Sequence, residues 1–252
     1  MDFDFSEDQE QLRDAVRKWV DKGYDFERRR AIVNAGGFDR GVYTELAELG
    51  LTGLYVSEEH GGMGMGPVEA MIAMEELGRG IVLEPLAQTL IASAVLQTHA
   101  PADLQSSWLP RMAGGEAIVV LAHQERGARH HLDRCKAEAK EAGGQWTVSG
   151  TKSVVPVGDV ADAFIVPALV SGQIALFLVE RGATGVKTEG YVTQDGSRAA
   201  EVALSNSPAQ LITKNGLTAL QEAADLGSAC ICAEGVGVMD KTLAITAEYM
   251  NT

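Results

Sequence analysis

The chain has 252 residues, 46% hydrophobic, 22% charged and 6% aromatic, a globular composition that excludes disorder as the main state and suits one large domain or two smaller ones. Lys and Arg total 21 against 35 Asp and Glu, a formal net charge of -14, so the overall field repels phosphate backbones and anionic lipid heads and neither nucleic acid nor membrane is an expected partner. No apolar run reaches the roughly 18 to 20 residues of a bilayer span, MDFDFSEDQE lacks the basic and apolar regions of a signal peptide, and Cys135, Cys230 and Cys232 form neither an even disulfide set nor a CxxC pair, which points to a soluble, cytoplasmic, reduced protein with packing cysteines.

From Ser6 to about Gly23, Leu12, Val16, Trp19 and Val20 fall at helical spacing behind a Ser-x-x-Gln capping step, which predicts an amphipathic first helix. A second helix is expected over Gly41 to Gly50, with Val42, Leu46 and Leu49 on one face. The loop EEHGGMGMGP follows, and Pro67 opens a helix through Met71, Ile72 and Leu77 to Gly78. Glu84-Pro85 opens another to about His99, and a shorter one after Pro101 carries Leu104, Trp108 and Leu109. Residues 1–115 are therefore expected to form an all-helical domain.

After Gly115 the period changes. AIVVLAHQ, QWTVSGTKSVVPVG, AFIVPALV and QIALFLVE are short runs rich in β-branched residues between turn signals. They lack the helices that parallel crossovers use, so antiparallel pairing in a barrel or sandwich is expected over residues 116–214. From about Gly216 helical spacing returns through Leu217, Leu220, Leu226, Val236, Met239, Leu243 and Tyr249. Residues 215–252 are expected to begin a C-terminal helical domain whose remainder is absent, leaving that apolar face for further helices or a partner to cover. The fold class is α+β.

FSEDQEQLRDAVRKWV, GLYVSEEHGGMGMGPVEAMIAMEELGRGIVLEP, WTVSGTKSVVPVGDVADAFIV and DGSRAAEVALSNSPAQLI, in this order, resemble the first helix, the glycine loop and Glu-Glu-Leu-Gly-Arg helix, the Gly-x-Lys-x-Trp-Ile-Thr segment and the following strand of the acyl-CoA dehydrogenase family. The resemblance covers nearly the whole chain. It implies FAD as cofactor and an acyl-CoA substrate oxidised to the 2-enoyl thioester, with a carboxylate taking the α-proton and flavin N5 the β-hydride. It further implies an electron-accepting flavoprotein and a homotetramer, or a heterotetramer with a related subunit.

Residue by residue, the resemblance places the flavin along backbone groups of Leu121, His123 and Gln124 and against Val154, Val155 and Pro156. Where the family has Thr-Glu-Pro-x-Ala-Gly-Ser-Asp this chain has Gln124 to His131, and where it has Trp-Ile-Thr this chain has Val154-Val155-Pro156. A hydroxyl, a ring and a second hydroxyl toward N5 are thus missing. Arg129 and His130 sit where the family chain passes the substrate, which suggests a polar or anionic acyl group such as a dicarboxylyl-CoA. The family's base usually lies in the C-terminal helices, so it is expected beyond Thr252. In a subset it lies near the position of Gly227, where neither Gly227 nor Ser228 abstracts a proton, although Glu222 and Asp225 are close in sequence.

Other features take plainer readings. Glu58 and Glu59 are exposed loop acids, Arg28-Arg29-Arg30 is a solvated surface cluster, and His123, His130, His131 and Cys135 match no zinc spacing, so no metal is expected. Two further functions remain open: a non-catalytic partner subunit that lends walls to a shared FAD or CoA site, and a CoA-thioester binding protein without redox chemistry.

Overall fold

The computed structural model describes residues 4–128 and 130–251. Its N-terminal part is helical: α1 (Glu7–Gly23), α2 (Phe26–Asn34), α3 (Arg40–Glu48), α4 (Pro67–Gly80), α5 (Leu86–His99) and α6 (Ala102–Ala113). The Ser6 cap forms as its sequence dictates. Gln9 N donates to Ser6 Oγ at 3.3 Å and Ser6 N to Gln9 Oε1 at 3.0 Å. Periodicity did not expose α2, since FERRRAIVN buries only Ile32; its start is set by Asp25, whose side chain accepts from Arg28 N at 2.7 Å.

The arginine run is also more than a solvated cluster. Arg28 binds Glu45 at 2.5 Å, and Arg29 donates to the carbonyls of Ile81 and Asp195, both at 2.8 Å, fastening α2 to distant segments. Between α3 and α4 the glycine loop folds back on itself, with Gly64 N donating to Val56 O and Met65 N to Leu54 O, both at 2.7 Å. A Cβ at Gly62 would lie 2.1 Å from Val56 O, so the close approach requires glycine there.

Among the described residues seven strands follow: β1 (Val119–Leu121), β2 (Glu138–Ala142), β3 (Gln145–Pro156), β4 (Ala163–Val170), β5 (Gln173–Glu180), β6 (Val186–Val192) and β7 (Arg198–Thr213). Pairings β4–β2, β2–β3, β3–β7, β7–β5 and β5–β4 close a ring, with β1 beside β4 and β6 beside β7. The pairing is not wholly antiparallel as expected. β1 runs parallel to β4, and β2 meets β4 through one parallel bridge, Glu138↔Leu169. The chain can do this because β2, β3 and their connections separate β1 from β4, giving the length a parallel crossover needs without a helix.

The unbroken apolar runs of β4 and β5 reflect burial on both faces. Phe164, Val166, Ala168, Ala175, Phe177 and Val179 point into the ring with Val148, Val155, Val202 and Leu204. Ala163, Ile165, Leu176 and Leu178 face outward onto Leu96, Leu109, Ala219 and Leu220. At roughly 1.5–3 kcal/mol per buried large aliphatic or aromatic side chain, this shared outer face is what joins helices to barrel.

The last helix, α7 (Gly216–Met250), is 35 residues long. Just past its midpoint it packs on α4 so closely that a Cβ at Gly237 would lie 1.8 Å from Glu75 O. Arg79 of α4 also pairs with Asp240. Along the helix the row read as core is split: Leu220 is buried, Leu217 and Leu226 are half-buried, and Val236, Met239, Leu243 and Tyr249 are exposed. Among the described residues no helix is long and apolar enough to cross a membrane.

Candidate active site

Two features lie beside each other where α7 meets the barrel. The first is a ledge built by β1 and β3. Beyond Leu121 the chain stays extended, with Ala122 N donating to Ile165 O and Ser153 N to Gln124 O, both at 2.9 Å. The amides of His123 and Gln124 have no partner among the described residues, so two backbone donors remain available on a half-buried edge.

Facing them, β3 carries a bulge. Lys152 opposes Val202 and Val155 opposes Ala200, so β3 spends one residue more than β7. Val154 adopts φ 53 and is 47% exposed, and Val157 adopts φ 45. Left-handed backbone at a β-branched residue costs on the order of 1–3 kcal/mol. The bulge therefore turns Val154 outward at an energetic cost that the surrounding fold must offset.

Beneath the ledge is a buried ion pair. Lys152 Nζ donates to Glu125 Oε1 at 2.7 Å, with Lys152 0% exposed and Glu125 7%. The same carboxylate accepts Lys136 N at 2.8 Å, Ala137 N at 3.1 Å and the Cys135 thiol at 3.4 Å. Burial pushes the Glu125 carboxyl up, but Lys152 and these amides outweigh it and hold it below the usual carboxylate range. Burial raises the Cys135 thiol to about 11, which makes it a packing thiol rather than a nucleophile. Burial and then Lys152 lower the pKa of His123.

The sequence held a signal for this pair. Val148, Gly150 and Lys152 alternate onto the inward face of β3, and a lysine there needs a buried anion.

Of the residues expected to meet a flavin, Leu121 packs half-buried against the helical core, His123 and Gln124 lie on the ledge, Val154 is turned out and Pro156 is half-buried. Val155 differs. It is 1% exposed within the barrel core, because the residue after the bulge returns to the inward face, so its side chain is closed to a ligand. His130 is exposed on the loop after the ledge and Arg129 lies outside the described residues. No cluster of His, Cys, Asp and Glu among the described residues could hold a metal.

The second feature is an apolar cleft of about 360 Å³ between α5 and α7. Val95 of α5 faces Ala219, Ala223 and Leu226 of α7, while Tyr55 and Pro67 close one end. At the rim His99 Nε2 lies 2.7 Å from Glu222 Oε2, with Asp225 alongside. Gly227 is not part of this lining; a Cβ there would meet Ile91 Cδ1 of α5 at 3.2 Å. The two features are connected through α7: Leu220 shares a small cavity with His123 and Gln124, and its neighbour Ala219 lines the cleft. The His99–Glu222 contact was invisible in sequence, 123 residues apart.

A helical N-terminal part, a closed barrel with a bulged ledge and a long helix forming an apolar cleft are a specific combination. The family model for the acyl-CoA dehydrogenase N-terminal domain matches residues 6–116. The chain belongs to the acyl-CoA dehydrogenase family. It is 27% identical to acyl-CoA dehydrogenase FadE27 of Mycobacterium tuberculosis over 85% of its own length and 57% of the relative's. Among solved structures it is 30% identical to a variant of the Tcur3481-Tcur3483 steroid acyl-CoA dehydrogenase, with a TM-score of 0.88 over 96% of this chain and 66% of that one. It is 26% identical to a chain of the ChsE4-ChsE5 complex of M. tuberculosis, with a TM-score of 0.90 over 100% of this chain and 69% of that one. The chain thus spans a little over half the length of the curated relative and about two thirds of the solved chains.

Proposed function

We propose that the complete protein performs FAD-dependent α,β-dehydrogenation of an acyl-CoA, and that this chain supplies the ledge for the flavin and the cleft for the acyl group. The observation that carries the reading is a ledge with two amide donors unpartnered among the described residues, joined through α7 to an apolar cleft of ligand size. The residues fit FAD in part. The His123 and Gln124 amides can meet acceptor atoms, Val154 offers an apolar surface, and Pro156 has neither N–H nor hydroxyl to give. When bound, the flavin supplies the acceptor for the β-hydride.

The chain's own residues orient and shield. Val95, Ala223 and Leu226 exclude water from the acyl group, and the Glu125–Lys152 pair holds the ledge against the bulge. No α-proton acceptor is assigned among the described residues; Glu222, the carboxylate nearest the cleft walls, is engaged with His99. An electron-accepting flavoprotein would reoxidise the cofactor, and the assembly would be a tetramer in the cytoplasm.

One observation favours a second reading, a partner subunit of a heteromeric dehydrogenase. Two of the solved relatives are named as pairs of chains, and the missing hydroxyl and ring fall at Pro156 and Val154, beside the ledge. An absorbance spectrum of the natively purified complete gene product tests both. A flavin band from one chain type supports the dehydrogenase and refutes the partner reading; a flavin band only when a related chain co-purifies supports the partner reading. Bound acyl-CoA without flavin in every preparation would refute both.

A further inference from the structure

The joint between α4 and α5 encloses a carboxyl that the fold leaves short of partners. Glu84 is 5% exposed. Its Oε1 accepts Asp39 N at 3.3 Å, while its Oε2 is buried with no hydrogen-bond partner among the described residues. Tyr24, at the end of α1, also faces it, and the Tyr24 hydroxyl accepts Leu83 N at 3.2 Å. The side chain of Asp39, at the start of α3, adds a like charge. The cations of α2 are engaged elsewhere: Arg28 with Glu45 at 2.5 Å and Gly23 O at 2.6 Å, Arg30 with Glu27 at 3.7 Å, and Arg29 with the carbonyls of Ile81 and Asp195. A carboxyl buried without a counter-charge is favoured as the neutral acid, and burial pushes Glu84 up to about 7.

The helix beside this joint is lightly held. α2 buries only Ile32, in a small cluster with Tyr24, Val42 and Leu83. Arg29 fastens it to Ile81, three residues before Glu84, and to the β6–β7 turn at Asp195. With so little buried apolar contact, α2 is a unit able to open ahead of the barrel. We propose that Glu84 is the bolt of a pH-sensitive latch: while its carboxyl holds a proton, α2 stays closed on the α4–α5 joint and on the β6–β7 turn, and when the proton leaves, α2 opens as a unit while the barrel stays folded. Opening lets water reach the ionised carboxylate, which the closed joint denies it. The latch is therefore shut at acidic pH and loosens as pH rises through neutrality.

Native-state hydrogen exchange of the 252-residue chain, followed from about pH 6 to about pH 8 and divided by the intrinsic rate at each pH, tests this. The amides of α2 should exchange ahead of those of β4 and β5, and their protection should fall about tenfold across the window. That is the factor for a carboxyl titrating at about 7 when enclosed and at its ordinary value when open. Glu84→Gln keeps the shape without the charge and should lose the step. Glu234→Gln, on α7 beside Asp195 at the far end of Arg29, should keep it, and Arg29→Gln should leave α2 weakly protected at both ends of the window. If circular dichroism shows that Glu84→Gln does not fold, the parent series still decides. Protection in α2 that is flat with pH, or that equals that of β4 and β5 at every pH, would overturn the proposal. So would a step that survives in Glu84→Gln or disappears in Glu234→Gln.

Discussion

Replacing Lys152 with methionine keeps most of the stem's volume and deletes a cation buried 2.7 Å from Glu125 Oε1. The carboxylate keeps the amides of Lys136 and Ala137 and the Cys135 thiol, but its charge is left inside the protein without a counter-charge. Breaking a buried pair by removing one partner costs about 3–5 kcal/mol, and the surviving amides place the expected loss near the lower figure, about 3 kcal/mol. Urea unfolding at pH 7, followed by far-ultraviolet circular dichroism, measures it. The pH dependence identifies the cause. In the parent chain the Glu125 carboxyl is held below its ordinary range, so its stabilisation is present above the unfolded-state value and is lost as pH falls through the folded-state value. Protonation also removes the uncompensated charge in Lys152→Met, so the variant's deficit should be largest at neutral pH and shrink toward about pH 3. Glu125→Gln/Lys152→Met should be less destabilised than the two single losses summed, by at least about 1 kcal/mol. A deficit under about 1 kcal/mol at pH 7, or one equal at both pH values, would refute the argument.

Val154 holds a left-handed backbone, so Val154→Gly should raise the unfolding free energy measured in urea by up to about 1 kcal/mol after glycine's entropic cost; a lowered value would show that the bulge is unstrained. Gly237→Ala would place a methyl 1.8 Å from Glu75 O and should destabilise by about 1–3 kcal/mol, with increased amide exchange in α7 ahead of the barrel; uniform exchange across both would contradict the assigned contact. Glu84 is pushed up to about 7, mainly by burial. A carboxyl raised above its unfolded value contributes stability that is complete below that value and is lost as pH rises to about 7, on the order of 3 kcal/mol in all. Glu84→Gln should therefore flatten the stability profile between about pH 4.5 and 7, and a profile that keeps the parent's slope would exclude Glu84 as its source.

The features legible in the sequence are those that a local pattern enforces. The Ser6 capping box, the proline at the start of α4 and the apolar double faces of β4 and β5 each follow from residues a few positions apart. What escaped depends on distance or on exceptions to period. β2 reads EAKEA and buries only Ala139, so its place in the ring comes from pairing with β3 rather than from its own composition. α2 was hidden for the same reason. The ledge segment was found through resemblance, whereas the pair beneath it needed the alternation of β3 to be followed onto Lys152, and the His99–Glu222 contact needed the fold itself.

Where this chain keeps to its family and where it departs divide along burial. The glycine loop that folds onto Val56, the inward Lys152 and its partner Glu125 are all retained, and each is fixed by a contact that a different residue would break. The departures at Gln124, Val154 and Pro156 are at half-buried or exposed positions around the ledge, and the conventional residue between the last two, Val155, lies in the core. The divergence has therefore altered the surface presented to a ligand while leaving the frame that positions it.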